Sequence, residues 1–193
     1  MAEEKPKIFQ DGRDMFYSVG VIVVVMVALV AFTGMCSFDR KSAEHVPVTK
    51  IDAPAFFSLE ARAATFPVRL PDMPQDWTVN SARRADIAGS PAPVVGWVFS
   101  ENDKDGYVQL VQTDLSVAEI VEKYDENVRE IARTYELDGE TVQVAAASDK
   151  KVRELRIIDL ADVRLVVTGA ATEAQFNEVL RQTMRAQPLD TAM

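Results

Sequence analysis

Few residues in this sequence have the type and spacing that chemistry requires. The run "ENDKDG" places carboxylates at Glu101, Asp103 and Asp105 before Gly106, which matches the opening of a calcium-binding loop. Such a loop needs a bidentate glutamate at its twelfth position, and Gln112 stands there instead. The run also lies between two strand-like segments and has turn chemistry. We therefore predict a β-hairpin turn here and no metal site.

Cys36 and His45 are the only cysteine and the only histidine in the chain, and both precede the segment with globular patterning. Nucleophilic catalysis usually needs a histidine beside serine or cysteine, and the usual zinc sites need several such ligands. The eight glycines are scattered singly and form no phosphate-binding loop. The sequence thus predicts no catalytic, cofactor-binding or metal-binding residue, no cofactor, and a protein that is not an enzyme. A carboxylate-dependent hydrolase remains the enzymatic alternative, because Asp and Glu can do acid–base work unaided.

The net charge limits the classes of partner. The chain carries −9, of which residues 1–14 contribute −1, so the part after Cys36 carries −8. Nucleic-acid binding depends on Lys and Arg neutralising phosphates, so we expect no nucleic-acid partner. An acidic domain also matches anionic lipid headgroups poorly, so we do not expect charge to hold the domain on a bilayer.

An uncharged stretch near the start predicts a membrane span. Met15–Met35 has no charged residue in 21 positions, and about 31 Å of helix would result at 1.5 Å per residue. This length matches a hydrocarbon core of ~30 Å. We therefore predict an N-terminal tail over residues 1–14 and a single transmembrane helix over residues 15–35.

Cys36 follows this stretch directly and raises the alternative of a lipidated, cleaved protein. A lipoprotein signal has small residues before the cysteine, whereas the bulky Met35 stands there. Ala28 and Ala31 have A-x-A-like spacing, but the apolar stretch is longer than the 7–15 residues of a typical signal peptide. These features favour an uncleaved anchor, with lipidation of Cys36 as the alternative. Three basic residues lie on each side of the span, so charge alone does not orient it.

The remainder patterns as a linker over residues 36–55, a domain over 56–187 and a short tail over 188–193. In the domain, Ser58 is the expected cap of a first helix, and two capping boxes, Ser116 with Glu119 and Thr172 with Gln175, begin later helices. Apolar residues at steps of three and four predict a helix over 116–135 and a final helix after Thr172. Strand-like segments occupy 77–85, 94–101, 107–114, 140–147, 151–159 and 163–170.

The fold class follows from this order of elements. We predict an α+β domain with an antiparallel sheet and helices on one face, preceded by the transmembrane helix. The segments "YVQLVQTDLSVAEI" and "DVRLVVTGAATEAQF" align at an offset of 55, with Val108 matching Val163 and Leu110 matching Leu165. This match is compatible with two β-β-β-α halves, or with mere similarity of secondary structure.

Four segments of the chain resemble a known family. "RDM" at 13–15, "ARAATFPVRLPDMPQDWTVNSAR" at 61–83, "GYVQLVQT" at 106–113 and "VVTGAA" at 166–171 are similar to an actinobacterial family of single-pass membrane proteins of unknown function. The most specific positions are Phe66, Pro67, Val68, Pro74, Trp77, Ser81, Ala82 and Arg83. The resemblance implies a signal anchor in the plasma membrane, a cytoplasmic N-terminus and a domain facing the cell envelope. It implies no activity.

These observations together predict a membrane-anchored, non-enzymatic envelope protein that binds or scaffolds a protein partner. An accessory subunit of a larger membrane complex is one concrete form of this function. The alternative is a carrier or sensor of a small apolar envelope molecule, for which Trp77 and Trp97 could line the site. A cavity of several hundred Å³ would favour the alternative.

Overall fold

The computed structural model describes residues 12–33, 51–101 and 104–190. The chain divides into two compact units, Met1–Pro47 and Val48–Met193. In the first unit the described residues form one helix, α1 (Gly12–Thr33). Of the predicted linker over residues 36–55, residues 36–50, including His45, lie outside the described residues.

The membrane span stays a prediction. In α1 the described side chains are those of residues 15–30, and all of them are exposed. Within the described part of the chain, no helix is both long enough and apolar enough to cross a membrane. The predicted span ends at Gly34 and Met35, which are not among the described residues.

The second unit is α+β, as predicted. Its described elements are α2 (Ala53–Ala63), β1 (Thr78–Ile87), β2 (Ser90–Glu101), β3 (Lys104–Thr113), α3 (Val117–Lys123), β4 (Arg129–Leu137), β5 (Glu140–Ala147), β6 (Leu155–Asp159), β7 (Arg164–Ala170) and α4 (Glu173–Arg185). The strands form one antiparallel sheet in the order β1-β2-β3-β7-β6-β5-β4. The last strand therefore pairs with β3 at the centre of the sheet, and β1 and β4 are the edges.

Helices cover both faces of the sheet, so the prediction of helices on one face was wrong. Successive side chains of a strand point to opposite faces. On β3, Leu110 packs in a cluster with Phe57 of α2 and Phe176 of α4, whereas its neighbour Val111 packs in a second cluster with Ile120 of α3. We call these the α2/α4 face and the α3 face.

The predicted helix over 116–135 is also wrong in its second half. Helix α3 ends at Lys123, and residues 129–137 form the edge strand β4. A two-residue turn at Asp138 and Gly139, with φ of 51° and 94°, joins β4 to β5. Positive φ at both central residues is the geometry of the tight hairpin turn, and Asp-Gly is a favoured pair for it. Because a hairpin turn joins two strands, this turn accounts for the strand β4 where a helix was predicted.

The two halves of the chain differ, which corrects the suggestion of two β-β-β-α units. The first half is β1-β2-β3-α3, but the second contains four strands before α4. The aligned strand residues Leu110 and Leu165 do share the α2/α4 face. After one inserted residue the same alignment matches Ile120 of α3 with Phe176 of α4, but these two residues pack on opposite faces. The similarity therefore ends with the strands.

The helix starts were predicted in part. Both capping boxes are present, with Ser116 accepting from the N–H of Glu119 and Thr172 accepting from the N–H of Gln175. Helix α2, however, begins at Ala53, inside the predicted linker, and is capped by Asp52, so the prediction of Ser58 as its cap is wrong. Ser58 lies inside it. The N–H of Ala55 donates to Asp52 Oδ1 at 2.9 Å, which supplies the capping bond that Ser58 was expected to make.

Candidate functional site

Trp77 is the centre of two grooves on the α2/α4 side of the domain. Its ring stacks on Phe99 of β2, with ring centroids 4.0 Å apart and planes 24° from parallel. The N–H of Trp77 donates to the carbonyl of Pro74 at 3.0 Å, so a turn fixes the backbone just before β1. Trp77 is half-buried, whereas Trp97 is buried in the core.

The larger groove, which we call the Phe99 groove, has a volume of about 820 Å³. Its apolar part comprises Trp77, Phe99 and small residues at the junction of β7 and α4. Its polar rim comes from the β2–β3 hairpin and from α4. The rim residues are Glu101, Lys104, Asp105, Thr172, Gln175 and Glu178.

The smaller groove, which we call the Trp97 groove, has a volume of about 350 Å³ and also lies against Trp77. Pro74 and Trp77 line both grooves. Its lining is mostly apolar and includes residues of α2, the segment before β1, and β1 and β2. The apolar members are Ala53, Pro54, Leu70, Pro71, Met73, Pro74, Trp77, Val79 and Trp97.

The irregular segment that carries Pro74 and Trp77 is attached to the sheet by Gln112. This fully buried side chain on β3 accepts from the N–H of Arg69 at 2.8 Å and donates to the Arg69 carbonyl at 2.7 Å. The side chains of Phe66 and Val68, just before this attachment, are buried in the core. The wall of the two grooves is therefore held by main-chain hydrogen bonds as well as by apolar packing.

The charged residues on the rim of the Phe99 groove differ in whether they form ion pairs. Glu178 is paired with Arg181 on the same helix at 3.1 Å. Glu101 accepts a hydrogen bond from Gln175 Nε2 at 2.7 Å. Within the described ranges, neither Glu101 nor Asp105 forms an ion pair. The rim thus presents two uncompensated carboxylates and one lysine.

A third groove lies on the α3 face at the edge of the sheet, between α3 and β4, and we call it the α3–β4 groove. Its volume is about 480 Å³ and its lining is Val117, Ala118, Val121, Glu122, Val128, Arg129, Ile131 and Gln143. Val128 is 88% exposed and Ile131 is 40% exposed. Apolar side chains from a helix and an edge strand therefore meet at the surface without cover in the described domain.

Arg129 fixes the floor of the α3–β4 groove. Its side chain is only 2% exposed, and its Nη2 donates to Asp125 Oδ2 at 2.8 Å. This guanidinium lowers the pKa of the Asp125 carboxyl. Nearby, Tyr124 accepts a hydrogen bond from Gln109 Nε2 at 3.1 Å, and burial raises the pKa of the Tyr124 hydroxyl. The loop between α3 and β4 is thereby tied to the sheet, which holds Val128 outward.

The eight family-like positions do not converge on one site. Phe66 and Val68 are core residues, with Pro67 half-buried between them. Pro74 and Trp77 line the two grooves. Ser81, Ala82 and Arg83 lie on the edge strand β1, where Ala82 packs on the α2/α4 cluster and Ser81 approaches Gly96 on the opposite face. Of the eight positions, only Pro74 and Trp77 therefore line the grooves at Trp77.

Of the residues that resemble the opening of a calcium-binding loop, Glu101 and Asp105 line the rim of the Phe99 groove. The backbones of Glu101 and Lys104 are opposite each other in the β2–β3 ladder, so the predicted hairpin is present. Asp103 is not among the described residues of that hairpin. Among residues 12–33, 51–101 and 104–190, no group of three possible ligands could hold a metal ion. Cys36 lies outside the described residues.

The α3–β4 groove was not found in the sequence. Val121, Val128 and Ile131 were assigned to the apolar face of one long helix, so they were expected to be buried together. The available signal was Asp138-Gly139, which is typical of a hairpin and requires a strand before it. A prediction that included β4 would have placed Val128 in the connection between a helix and a strand instead of inside a helix.

Comparison with known proteins places the chain in a family. The model of the family described as "Protein of unknown function (DUF4245)" matches residues 7–183. No curated protein and no solved structure matches the chain. The match confirms the expectation of a family of unknown function, while its membrane character and actinobacterial origin stay predictions. Because the family model covers most of the 193 residues, the chain belongs to the DUF4245 family.

Proposed function

We propose that this protein is a membrane-anchored, non-enzymatic envelope protein whose α+β domain binds a protein partner through the α3–β4 groove. The observation that carries the proposal is the exposure of Val128, 88%, beside the exposed Ile131. Both line a groove of about 480 Å³ whose other wall is apolar α3. An accessory subunit of a larger membrane complex is the form of this function that we favour.

The exposed apolar side chains of the α3–β4 groove are unfavourably hydrated, and a bound partner would remove them from water. Contiguous apolar patches on soluble domains often mark interaction sites, and burying a valine or isoleucine side chain contributes about 1.5–3 kcal/mol. Val128 stands at the end of a loop that Arg129 and Asp125 hold in place, so little ordering is needed on binding.

Docking by side chains fits this edge better than the addition of a partner strand. β4 is an edge strand, and edges can pair with other chains. Its pairing with β5, however, is irregular between Ile131 and Arg133, and it carries several exposed charged side chains. Bulges and charges are devices that protect edges from pairing.

The anchoring part of the proposal is supported by the uncharged residues 15–35 and by the resemblance to single-pass membrane proteins of actinobacteria. In this proposal the N-terminus lies in the cytoplasm, the anchor spans the plasma membrane, and the domain faces the envelope. No cofactor and no nucleic acid takes part.

The experiment compares two variants of the full-length chain in its native membrane. Val128→Asp places a charge in the α3–β4 groove, and Leu59→Asp makes the same change at a leucine of α2 that is 62% exposed outside it. After mild detergent extraction, co-purified proteins are quantified by mass spectrometry. We expect a stoichiometric companion that is lost with Val128→Asp and retained with Leu59→Asp. Purification of the chain without a stoichiometric companion would contradict the proposal. A companion that is retained with Val128→Asp would contradict it as well.

A second candidate function is the binding of a small apolar molecule from the envelope. It is favoured by the two grooves at Trp77, whose volumes of about 820 and 350 Å³ suit ligands of that size.

A further inference from the structure

We infer that the Phe99 and Trp97 grooves bind one single-chain amphiphile with a cationic ammonium head, the alkyl chain in the Trp97 groove and the head in the Phe99 groove. This inference rests on the second candidate function and is independent of the α3–β4 groove. Pro74 and Trp77 line both grooves, so a ligand that passes Trp77 contacts both at once.

The Trp97 groove suits an alkyl chain. Nine of its eleven lining residues are apolar, and Asp72 and Gln75 are the two polar ones. Its position beside the core places Met73, Val79 and Trp97 along one side, where an apolar chain loses contact with water. Each methylene that becomes buried should strengthen binding about fourfold.

The Phe99 groove suits a positive charge. Among the described lining residues, Lys104 is the only cationic one beside Glu101 and Asp105. A third carboxylate, Glu178, is already paired with Arg181. The face of Trp77 that is not stacked on Phe99 attracts ammonium groups through the negative charge above the ring. Carboxylates beside aromatic rings thus favour an ammonium head and disfavour an anionic one.

Intrinsic fluorescence reports on this site directly, because Trp77 and Trp97 are the only tryptophans of the chain and both line the Trp97 groove. The full-length chain is placed in phosphatidylcholine nanodiscs whose belt protein lacks tryptophan. Octyltrimethylammonium and octyl sulfate are then titrated below their micelle-forming concentrations, and empty nanodiscs are titrated in parallel to subtract partitioning into lipid. Hexyltrimethylammonium provides the chain-length comparison.

We expect a saturable change in emission with octyltrimethylammonium, roughly 15-fold weaker binding of the hexyl compound, which has two methylenes fewer, and weaker binding of octyl sulfate. The double variant Glu101→Gln with Asp105→Asn should weaken the cationic ligand by roughly fivefold or more, and it alters only exposed hairpin positions. Trp77→Leu should weaken every alkyl ligand.

Three results would overturn the inference: octyl sulfate binding as tightly as octyltrimethylammonium, affinity independent of chain length, or no saturable change in emission. Val128→Asp serves as the control that separates the two proposals. It should leave the fluorescence response unchanged, so loss of the protein companion and loss of amphiphile binding are distinguishable.

Discussion

The ring of Phe99 occupies the space that a side chain at Gly106 would fill. The two residues face each other across the β2–β3 ladder, and a Cβ built on Gly106 would overlap the Phe99 ring. The absence of a side chain on β3 therefore lets Phe99 lie flat on the sheet, where its other face stacks on Trp77. Gly106 thereby shapes the Phe99 groove.

Gly106→Ala should displace Phe99 and disturb the stack with Trp77. We expect a loss of about 1–3 kcal/mol in the free energy of unfolding, because the added methyl group overpacks the site. Tryptophan emission should also change. The control is Gly20→Ala, where a Cβ meets no atom within 4 Å. Urea unfolding followed by fluorescence measures both effects, and an unchanged spectrum for Gly106→Ala would contradict this account.

Gln112→Leu should release the segment that carries Trp77. The leucine fills similar space but leaves the N–H and the carbonyl of Arg69 without their partner. We expect a loss of about 2–4 kcal/mol in the free energy of unfolding, since each unsatisfied group costs roughly 1–3 kcal/mol. Hydrogen exchange at the Arg69 amide should accelerate more than exchange at the central strand β7. Equal acceleration at both would mean global destabilisation instead of local release.

Asp125→Asn should destabilise the loop beside the α3–β4 groove in a pH-dependent way. The bond to Arg129 lowers the folded-state pKa of Asp125, so its contribution is present above the unfolded pKa of about 3.9 and is lost as the pH falls through the folded value. Because Asp125 is 36% exposed, we expect only about 0.5–1 kcal/mol at neutral pH. The difference from the parent protein should therefore be smaller at a pH below the unfolded value than at neutral pH. Urea unfolding at both pH values measures it, and a pH-independent difference would contradict the assignment.

The parts of the fold that were predictable have a local cause. Ser116 with Glu119 and Thr172 with Gln175 satisfy helix N–H groups within four residues, so their sequence alone identifies the helix starts. The strand at 107–114 was recognisable because its side chains alternate between two environments. Such signals do not depend on the rest of the molecule.

The parts that were not predictable depend on what packs on each face. Residues 165–167, Leu-Val-Val, are consecutive and all buried, which is typical of a strand covered on both sides, yet they do not say which helix covers which face. The spacing of Val121, Val128 and Ile131 fits a helix as well as it fits a helix followed by a loop and a strand. The sequence carries no local signal for the grooves at Trp77, because Trp77 contacts Phe99 only after the sheet has formed.

Tyr124→Phe should reduce the loss of stability in alkali. Burial raises the folded-state pKa of Tyr124 above its ordinary value near 10, so its contribution is fully present below about pH 10 and is lost as the pH rises through the folded value. The variant loses the hydrogen bond with Gln109, which costs about 0.5–1.5 kcal/mol at neutral pH. It should then lose less stability than the parent between about pH 8 and pH 11. Burial also raises the pKa of Tyr135, so the double variant with Tyr135→Phe should be flatter again. Urea unfolding at the two pH values measures the slope, and a parent-like slope in Tyr124→Phe would show that this hydroxyl titrates as freely as in the unfolded chain.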